Sequence, residues 1–173
     1  MSKTILVTGG SRGIGRAVAV LGGRRGWNVA ITYVSNEKAA QETVAAIEAA
    51  GGKGLAIHAD AAKLDDVARC FDATEKAFGK VDGFVNNAGI ATPISKLADK
   101  DPADIARLVE INVLGALYGA REAARRMSKS RGGKGGVIVN MSSAVARLGM
   151  PNEGVDYAAS KGSMDTLTYG LSK

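Results

Sequence analysis

The stretch Thr8-Gly9-Gly10-Ser11-Arg12-Gly13-Ile14-Gly15 constrains this chain more than any other, because its glycines lie between a β-branched run and a helical pattern. Such a loop follows a strand and opens a helix. Its glycines permit the tight turn and let the backbone come close to a bound group, while the helix N-terminus favours negative charge there. The same alternation continues downstream, where residues 4–8, 29–33, 54–58, 83–86 and 137–141 read as short buried strands. Helical periodicity fills the gaps at 13–25, 37–50, 64–78, 102–127 with a break inside, and 156–173. Crossovers of that length imply a parallel sheet covered on both faces, an α/β doubly wound architecture.

A chain of 173 residues, 46% of them apolar, fits one globular domain spanning 1–173. The net charge of +6 raises nucleic acid as a partner. The densest basic stretch, Arg121, Arg125, Arg126, Lys129, Arg131 and Lys134, has no interleaved aromatics for base stacking, so it reads as a solvated surface and no nucleic acid is expected. The only cysteine, Cys70, has no internal partner, and with the lone His58 it forms no metal-ligand cluster, so no metal is expected. Cys70 fits a helix core and His58 a strand. No apolar run reaches the roughly 20 residues of a membrane span, and no signal-like segment precedes Gly9, so a cytoplasmic protein without a membrane partner is expected.

A pyrophosphate suits the glycine loop, which makes the first half of the chain a dinucleotide-binding unit of the Rossmann type. Cofactor choice follows from the end of the second strand, where an acid would take the ribose 2′-hydroxyl. Here Tyr33 is followed by Val34, Ser35 and Asn36, and Arg12 in the loop can pair with a 2′-phosphate. NADP(H) is therefore preferred, with NAD(H) the alternative.

The loop, Asn86-Asn87-Ala88-Gly89, Asn112, the pair Ser142-Ser143 and Tyr157-Ala158-Ala159-Ser160-Lys161 occur in the order found in short-chain dehydrogenases/reductases. Over essentially its whole length the chain resembles that family. The resemblance implies a sheet of strand order 3-2-1-4-5 and hydride transfer between a nicotinamide cofactor and a carbonyl or alcohol, with 3-oxoacyl reductase-like or sugar dehydrogenase-like substrates. It implies that Gly9, Ser11, Arg12, Gly13, Ile14, Gly15 and Tyr33 hold the cofactor. Asp60, with Ala61 beside it, would meet the adenine ring, and Asn87, Ala88 and Gly89 would line the adenosine side. Lys161 would donate to the nicotinamide ribose, and Asn112 would distort its helix and hold a water that links the lysine to solvent.

Tyr157 and Lys161, four positions apart near a helix start, share one face. The ammonium and the helix N-terminus both favour the phenolate, so Tyr157 can exchange a proton with a substrate oxygen. Tyr169 and Lys173 repeat the spacing, but Tyr169 has no serine 13 or 14 positions before it and reads as a packing residue. Ser143 precedes Tyr157 by 14 positions, one more than the family's usual 13, where Ala144 stands. Counting from Asn140 favours Ser143 as donor to the alkoxide, with the extra residue absorbed in the turn Pro151-Asn152-Glu153-Gly154. Ser142 remains its rival.

Two segments are apolar over more than a core-facing stripe: 112–127 with Val113, Leu114, Leu117 and Ala120, and 156–173 with Ala158, Ala159 and Gly162. A homo-oligomer built through them is expected, with a small-molecule substrate as the other partner. The chain stops inside the helix that carries Tyr157, so relative to the family it is C-terminally incomplete, without the further strands and lid that shape a substrate pocket. Weak activity of the chain alone is expected, and a non-catalytic NADP(H)-binding module is the alternative reading.

Overall fold

A computed structural model of the chain describes residues 2–172. Its elements, in order, are β1 (Thr4–Val7), α1 (Gly13–Arg24), β2 (Asn28–Tyr33), α2 (Glu37–Ala49), β3 (Lys53–His58), α3 (Leu64–Phe78) and β4 (Gly83–Asn86). There follow α4 (Pro102–Val109), a π-helical turn (Glu110–Gly115), α5 (Ala116–Met127), β5 (Val137–Asn140), α6 (Val145–Leu148) and α7 (Val155–Leu171). The five strands form one sheet in the order β3-β2-β1-β4-β5, and every neighbouring pair is parallel. This is the expected Rossmann architecture. The chain reverses its winding between β1 and β4, and a crevice opens at that switch point beyond the strand ends.

Alternation along β1 divides the core between the two faces of the sheet. Ile5 and Val7 join Val29, Ile31 and Ile47 on one side, and Leu6 joins Ala30, Phe71 and Phe84 on the other. Phe71 and Phe84 meet with ring centroids 5.1 Å apart. Small residues let α5 lie close to them, since a Cβ on Gly119 would stand 2.6 Å from the Phe84 ring. Helix starts follow their capping chemistry: Asn36 accepts from the Ala39 N–H at 2.9 Å, and Asp101 accepts from Ala103 at 2.8 Å ahead of Pro102.

The break expected within 102–127 is the π-helical turn at Glu110–Gly115, whereas α6 was not foreseen because its four residues are too short for a periodic signal. The basic stretch also needs correction at Arg126, which is not merely solvated. Its guanidinium pairs with Asp72 at 2.8 Å and Glu75 at 2.9 Å and lies 5.5 Å from the Phe71 ring centroid, fastening α5 to α3. Among the described residues no helix is long and apolar enough to cross a membrane.

The turn after β3 delivers Asp60 to the crevice. Asp66 accepts from the Asp60 N–H at 2.9 Å and pairs with Arg69 at 2.8 Å, while Asp60 accepts from the Ala62 N–H at 3.0 Å. The Asp60 N–H, and then Arg69, hold the Asp66 carboxyl below its usual range. A lowered folded-state value stabilises the fold fully above the unfolded value of about 3.9 and loses that contribution as pH falls through the folded value. Asp66→Asn should accordingly flatten the acid limb, losing less urea stability than the parent between about pH 5 and pH 3. Equal losses in the two proteins would show that this turn contributes nothing to acid sensitivity.

Candidate active site

The glycine loop is held in place by threonines that sequence reasoning passed over. Thr32 accepts from the Gly9 N–H through its hydroxyl at 3.0 Å, and its carbonyl accepts from the Gly10 N–H at 3.0 Å. The Thr8 hydroxyl accepts from the N–H groups of Asn87 and Ala88, each at 3.0 Å. The Asn87 amide returns to the carbonyls of Thr8 at 2.8 Å and Gly9 at 3.1 Å. Gly9 and Gly13 take φ of 67° and 55°, where a side chain would be strained. No side chain caps α1, so its first N–H groups are left for an anion at the positive end of the helix. A Cβ on Gly15 would overlap the Gly9 carbonyl oxygen and stand 2.6 Å from Asn87 Nδ2. The loop is therefore packed tightly against Asn87 behind a helix start that can accept an anion.

Beyond the loop lies a cavity of about 390 Å³ on the side of α7 and one of about 730 Å³ toward β2 and β3. They share Arg12, Ile14, Asn87, Gly89 and Ile90, so together they form one cleft. The larger is lined by Gly9, Ser11 and Gly13 to Gly15 from the loop, by Tyr33, Asp60 and Ala61 from the ends of β2 and β3, and by Ala88. Arg107 closes it from α4, a residue with no motif to announce it, and its guanidinium meets the Asp60 carboxylate at 3.0 Å. Burial works to raise the Asp60 carboxyl, but the Ala62 N–H and Arg107 outweigh it and keep Asp60 below its usual range. At the end of β2, desolvation and the Glu37 carboxylate push the Tyr33 phenol up, and its ring meets His58 edge-on at 5.6 Å. Glu37 itself is outside the cavity wall.

Tyr157 and Lys161 both line the smaller cavity, with Lys161 Nζ 5.7 Å from the centre of the tyrosine ring. Lys161 donates to the Met141 carbonyl at 2.7 Å, and burial lowers its ammonium from the usual lysine range. Asn112, inside the π-helical turn and 2% exposed, accepts from the Ile90 N–H at 2.8 Å and donates to the Ile90 carbonyl at 2.9 Å and Ser160 Oγ at 3.1 Å. It is a clamp between the segment after β4 and α7. The Gly89 backbone passes so close that a Cβ there would stand 3.1 Å from Asn112 Oδ1 and 3.7 Å from Lys161 Nζ.

The two serines divide differently by wall and by hydroxyl. Ser142, rather than Ser143, contributes to the cavity lining, yet its hydroxyl is spent on the Lys161 carbonyl at 3.2 Å. The Ser143 hydroxyl receives only a long bond, 3.4 Å, from the Val145 N–H and keeps its own proton to give. Between α6 and α7 the backbone enters the left-handed region at Gly149, Met150 and Asn152, a contortion suited to taking up one extra residue. Tyr169 corrects an expectation of packing: it is 68% exposed and lines neither cavity, at the end of α7 where residues 168–172 are all exposed. Its proposed partner Lys173 lies outside the described residues.

The profile of the short chain dehydrogenase family matches residues 3–173. Similar proteins include the uncharacterized oxidoreductase YgfF of Escherichia coli, 47% identical over 96% of this chain and 68% of that protein. Another is 3beta-hydroxysteroid dehydrogenase 1 of Eggerthella lenta, 41% identical over 98% of this chain and 63% of that protein. Among solved structures, a short chain dehydrogenase from Burkholderia cenocepacia in complex with NADP is 39% identical with a TM-score of 0.86, covering 98% of this chain and 66% of that one. An NADH-dependent reductase A1-R′ complexed with NAD is 27% identical with a TM-score of 0.89, covering 98% and 71%. The chain spans about two thirds of the length of the curated relatives it matches. Because Gly15 leaves no room for a side chain, Gly15→Ala should weaken binding of either dinucleotide in a fluorescence titration by roughly 1–3 kcal/mol, the usual cost of overpacking. Unchanged affinity would mean that the loop yields easily and is no close-fitting cradle.

Proposed function

The chain belongs to the short chain dehydrogenase family, and on that premise we propose that it is a single dinucleotide-binding domain that reduces a carbonyl, or oxidises the matching alcohol, with NADP(H) preferred over NAD(H). The observation that carries this reading is the joint presence of Tyr157 and Lys161 in a cavity continuous with the glycine-loop cleft. A nicotinamide dinucleotide bound along that cleft supplies or accepts the hydride. In the reductive direction Tyr157 gives its hydroxyl proton to the carbonyl oxygen as negative charge develops there, and in the oxidative direction it takes that proton back. Ser143, whose hydroxyl proton is uncommitted, donates to the same oxygen. Lys161 would hold the ribose hydroxyls of the bound dinucleotide, and it keeps a positive charge next to Tyr157. Asn112 fixes the Ile90 backbone, and with it the course of Gly89 past Lys161; by the family resemblance it would also hold a water that links Lys161 to solvent.

Cofactor preference rests on Arg12, which lines both cavities, and on the lack of a carboxylate at Tyr33 to Asn36. The next carboxylate, Glu37, is engaged with the Tyr33 phenol and does not line the cavity. YgfF is described as an oxidoreductase and the Eggerthella relative as a hydroxysteroid dehydrogenase. Carbonyls on fused rings thus join oxoacyl and sugar carbonyls as the first compounds to assay. Exposed Leu114 and Leu117 on 112–127 and Leu171 on 156–173 support a homo-oligomer through those segments, and a cytoplasmic protein is part of the same reading.

Two measurements test this reading in the full protein. NADPH should bind more tightly than NADH by direct titration, and Arg12→Ala should weaken NADPH selectively by roughly 1.5–3 kcal/mol, the scale of a hydrogen bond to a charged group. A preference for NADH would refute the assignment of Arg12. Tyr157→Phe should lower carbonyl turnover by about 10²–10⁴-fold, the range of general acid–base catalysis, with cofactor affinity little changed, whereas Tyr169→Phe should keep most activity. The reverse result would transfer the proton-donating role away from Tyr157.

A further inference from the structure

Lys100 and Asp156 form an ion pair with both side chains only 2% exposed, Nζ lying 3.5 Å from Oδ1. Thr92 stands between them. Its hydroxyl donates to Asp156 Oδ2 at 2.6 Å and accepts from Lys100 Nζ at 2.7 Å, and Lys100 also donates to the Pro93 carbonyl. The backbone adds a second fastening, since the Ser95 N–H donates to the Glu153 carbonyl at 3.1 Å. Burial raises the Asp156 carboxyl, but the Thr92 hydroxyl, the Tyr157 N–H and the Lys100 ammonium outweigh it, so the group is held below its usual range and ionised.

The segment after β4 is thereby locked to the first turn of α7. That segment carries Ile90 and Ala91, which form one wall of the smaller cavity, and Asp156 immediately precedes Tyr157, which forms the other. None of Lys100, Thr92 and Asp156 lines either cavity. Holding two loops together does not require charge: burying an ion pair costs desolvation that the mutual attraction repays only in good geometry, and apolar residues of similar volume often replace such pairs without loss of stability. What a buried pair with a bridging hydroxyl adds is a fixed distance and direction.

We propose that Lys100, Thr92 and Asp156 are positioning residues that set how far Tyr157 projects into the cavity and how wide that cavity stands against Ile90 and Ala91. The proposal rests on the reading of Tyr157 as the proton donor. The three residues touch neither substrate nor cofactor, and they act through the helix turn that Asp156 shares with Tyr157.

The test uses the full protein and four variants: Asp156→Asn, Thr92→Val, Thr92→Ser and the double variant Lys100→Met with Asp156→Leu. The double variant removes both charges and leaves no unpaired ion, so it should melt close to the parent even if Asp156→Asn folds poorly. Its kcat should nevertheless fall by about 10–100-fold, the scale expected for a displacement near 1 Å at the reacting group. Cofactor affinity and KM should change far less. Thr92→Ser should restore most of the turnover that Thr92→Val loses. In spectra of the ¹³C-tyrosine-labelled, cofactor-saturated protein, the Tyr157 ring signal, assigned through Tyr157→Phe, should move in the double variant while those of Tyr33, Tyr118 and Tyr169 stay. A double variant with kcat within about twofold of the parent and an unmoved Tyr157 signal would overturn the proposal, a twofold change being under half of the 1.4 kcal/mol that makes a tenfold step. Activity lost only in step with melting temperature would overturn it too. A parent that turns over no carbonyl refutes the function proposed above instead, and the tyrosine signal then decides the positioning claim by itself.

Discussion

The Asn112 side chain is the contact on which the two halves of the cleft depend. Its amide satisfies both backbone groups of Ile90 and reaches Ser160 on α7, so one buried residue ties the continuation of β4 to the helix that carries Tyr157 and Lys161. Leaving any of these buried groups unpaired would cost about 1–3 kcal/mol, far more than the net gain from an ordinary exposed hydrogen bond. The helix conforms to this demand. Between Glu110 and Gly115 its hydrogen bonds widen into a π-helical turn, a local loss of regularity of the kind found at functional sites. Gly115 permits that course, because a Cβ there would press on the Ala61 backbone at 2.7 Å.

The glycine loop shows a second economy of the same kind, in which polar side chains one strand away shape the backbone. Thr8, Thr32 and Asn87 settle the loop's N–H and carbonyl groups from within, and this leaves the first N–H groups of α1 without protein partners. An anion there completes the hydrogen bonding of the helix start rather than competing with it. The other side of the cleft carries its own charge control, since Arg107 is already engaged with Asp60 and Glu110. A base arriving beside Asp60 meets a carboxylate whose charge is partly compensated.

What was legible in the sequence follows from the range of the interactions involved. The five strands and the glycine loop are written in local periodicity and turn chemistry, the strand order followed from the family resemblance, and the structure bears out the sheet as expected. The family motifs brought Tyr157, Lys161, Asn87 and Gly89 to one cleft in advance. Arg107 escaped because its partner Asp60 is 47 positions away, and the link from Thr92 to Asp156 spans 64, with nothing in either stretch to mark the pairing. Tyr169 was misjudged for a different reason. Its neighbours on α7 are small and mixed in polarity, so the sequence does not reveal which face turns to the sheet, and the residue stands 68% exposed. The choice between Ser142 and Ser143 depends on hydroxyl direction, which spacing alone does not encode.

The chain also orders its parts in time. Every residue lining the larger cavity, from Gly9 to Ile111, is linked into the polypeptide before the loop that leads to α7 is begun. Tyr157 follows, on a helix whose contacts reach back 48 positions from Ser160 to Asn112 and 64 from Asp156 to Thr92. Closures at such separations, like the 79 and 80 positions from Asn87 and Ala88 back to Thr8, lose loop entropy before any contact repays it. On a ribosome that builds from the N-terminus, the contacts that fasten α7 to Asn112 and Thr92 therefore wait for a segment made well after both.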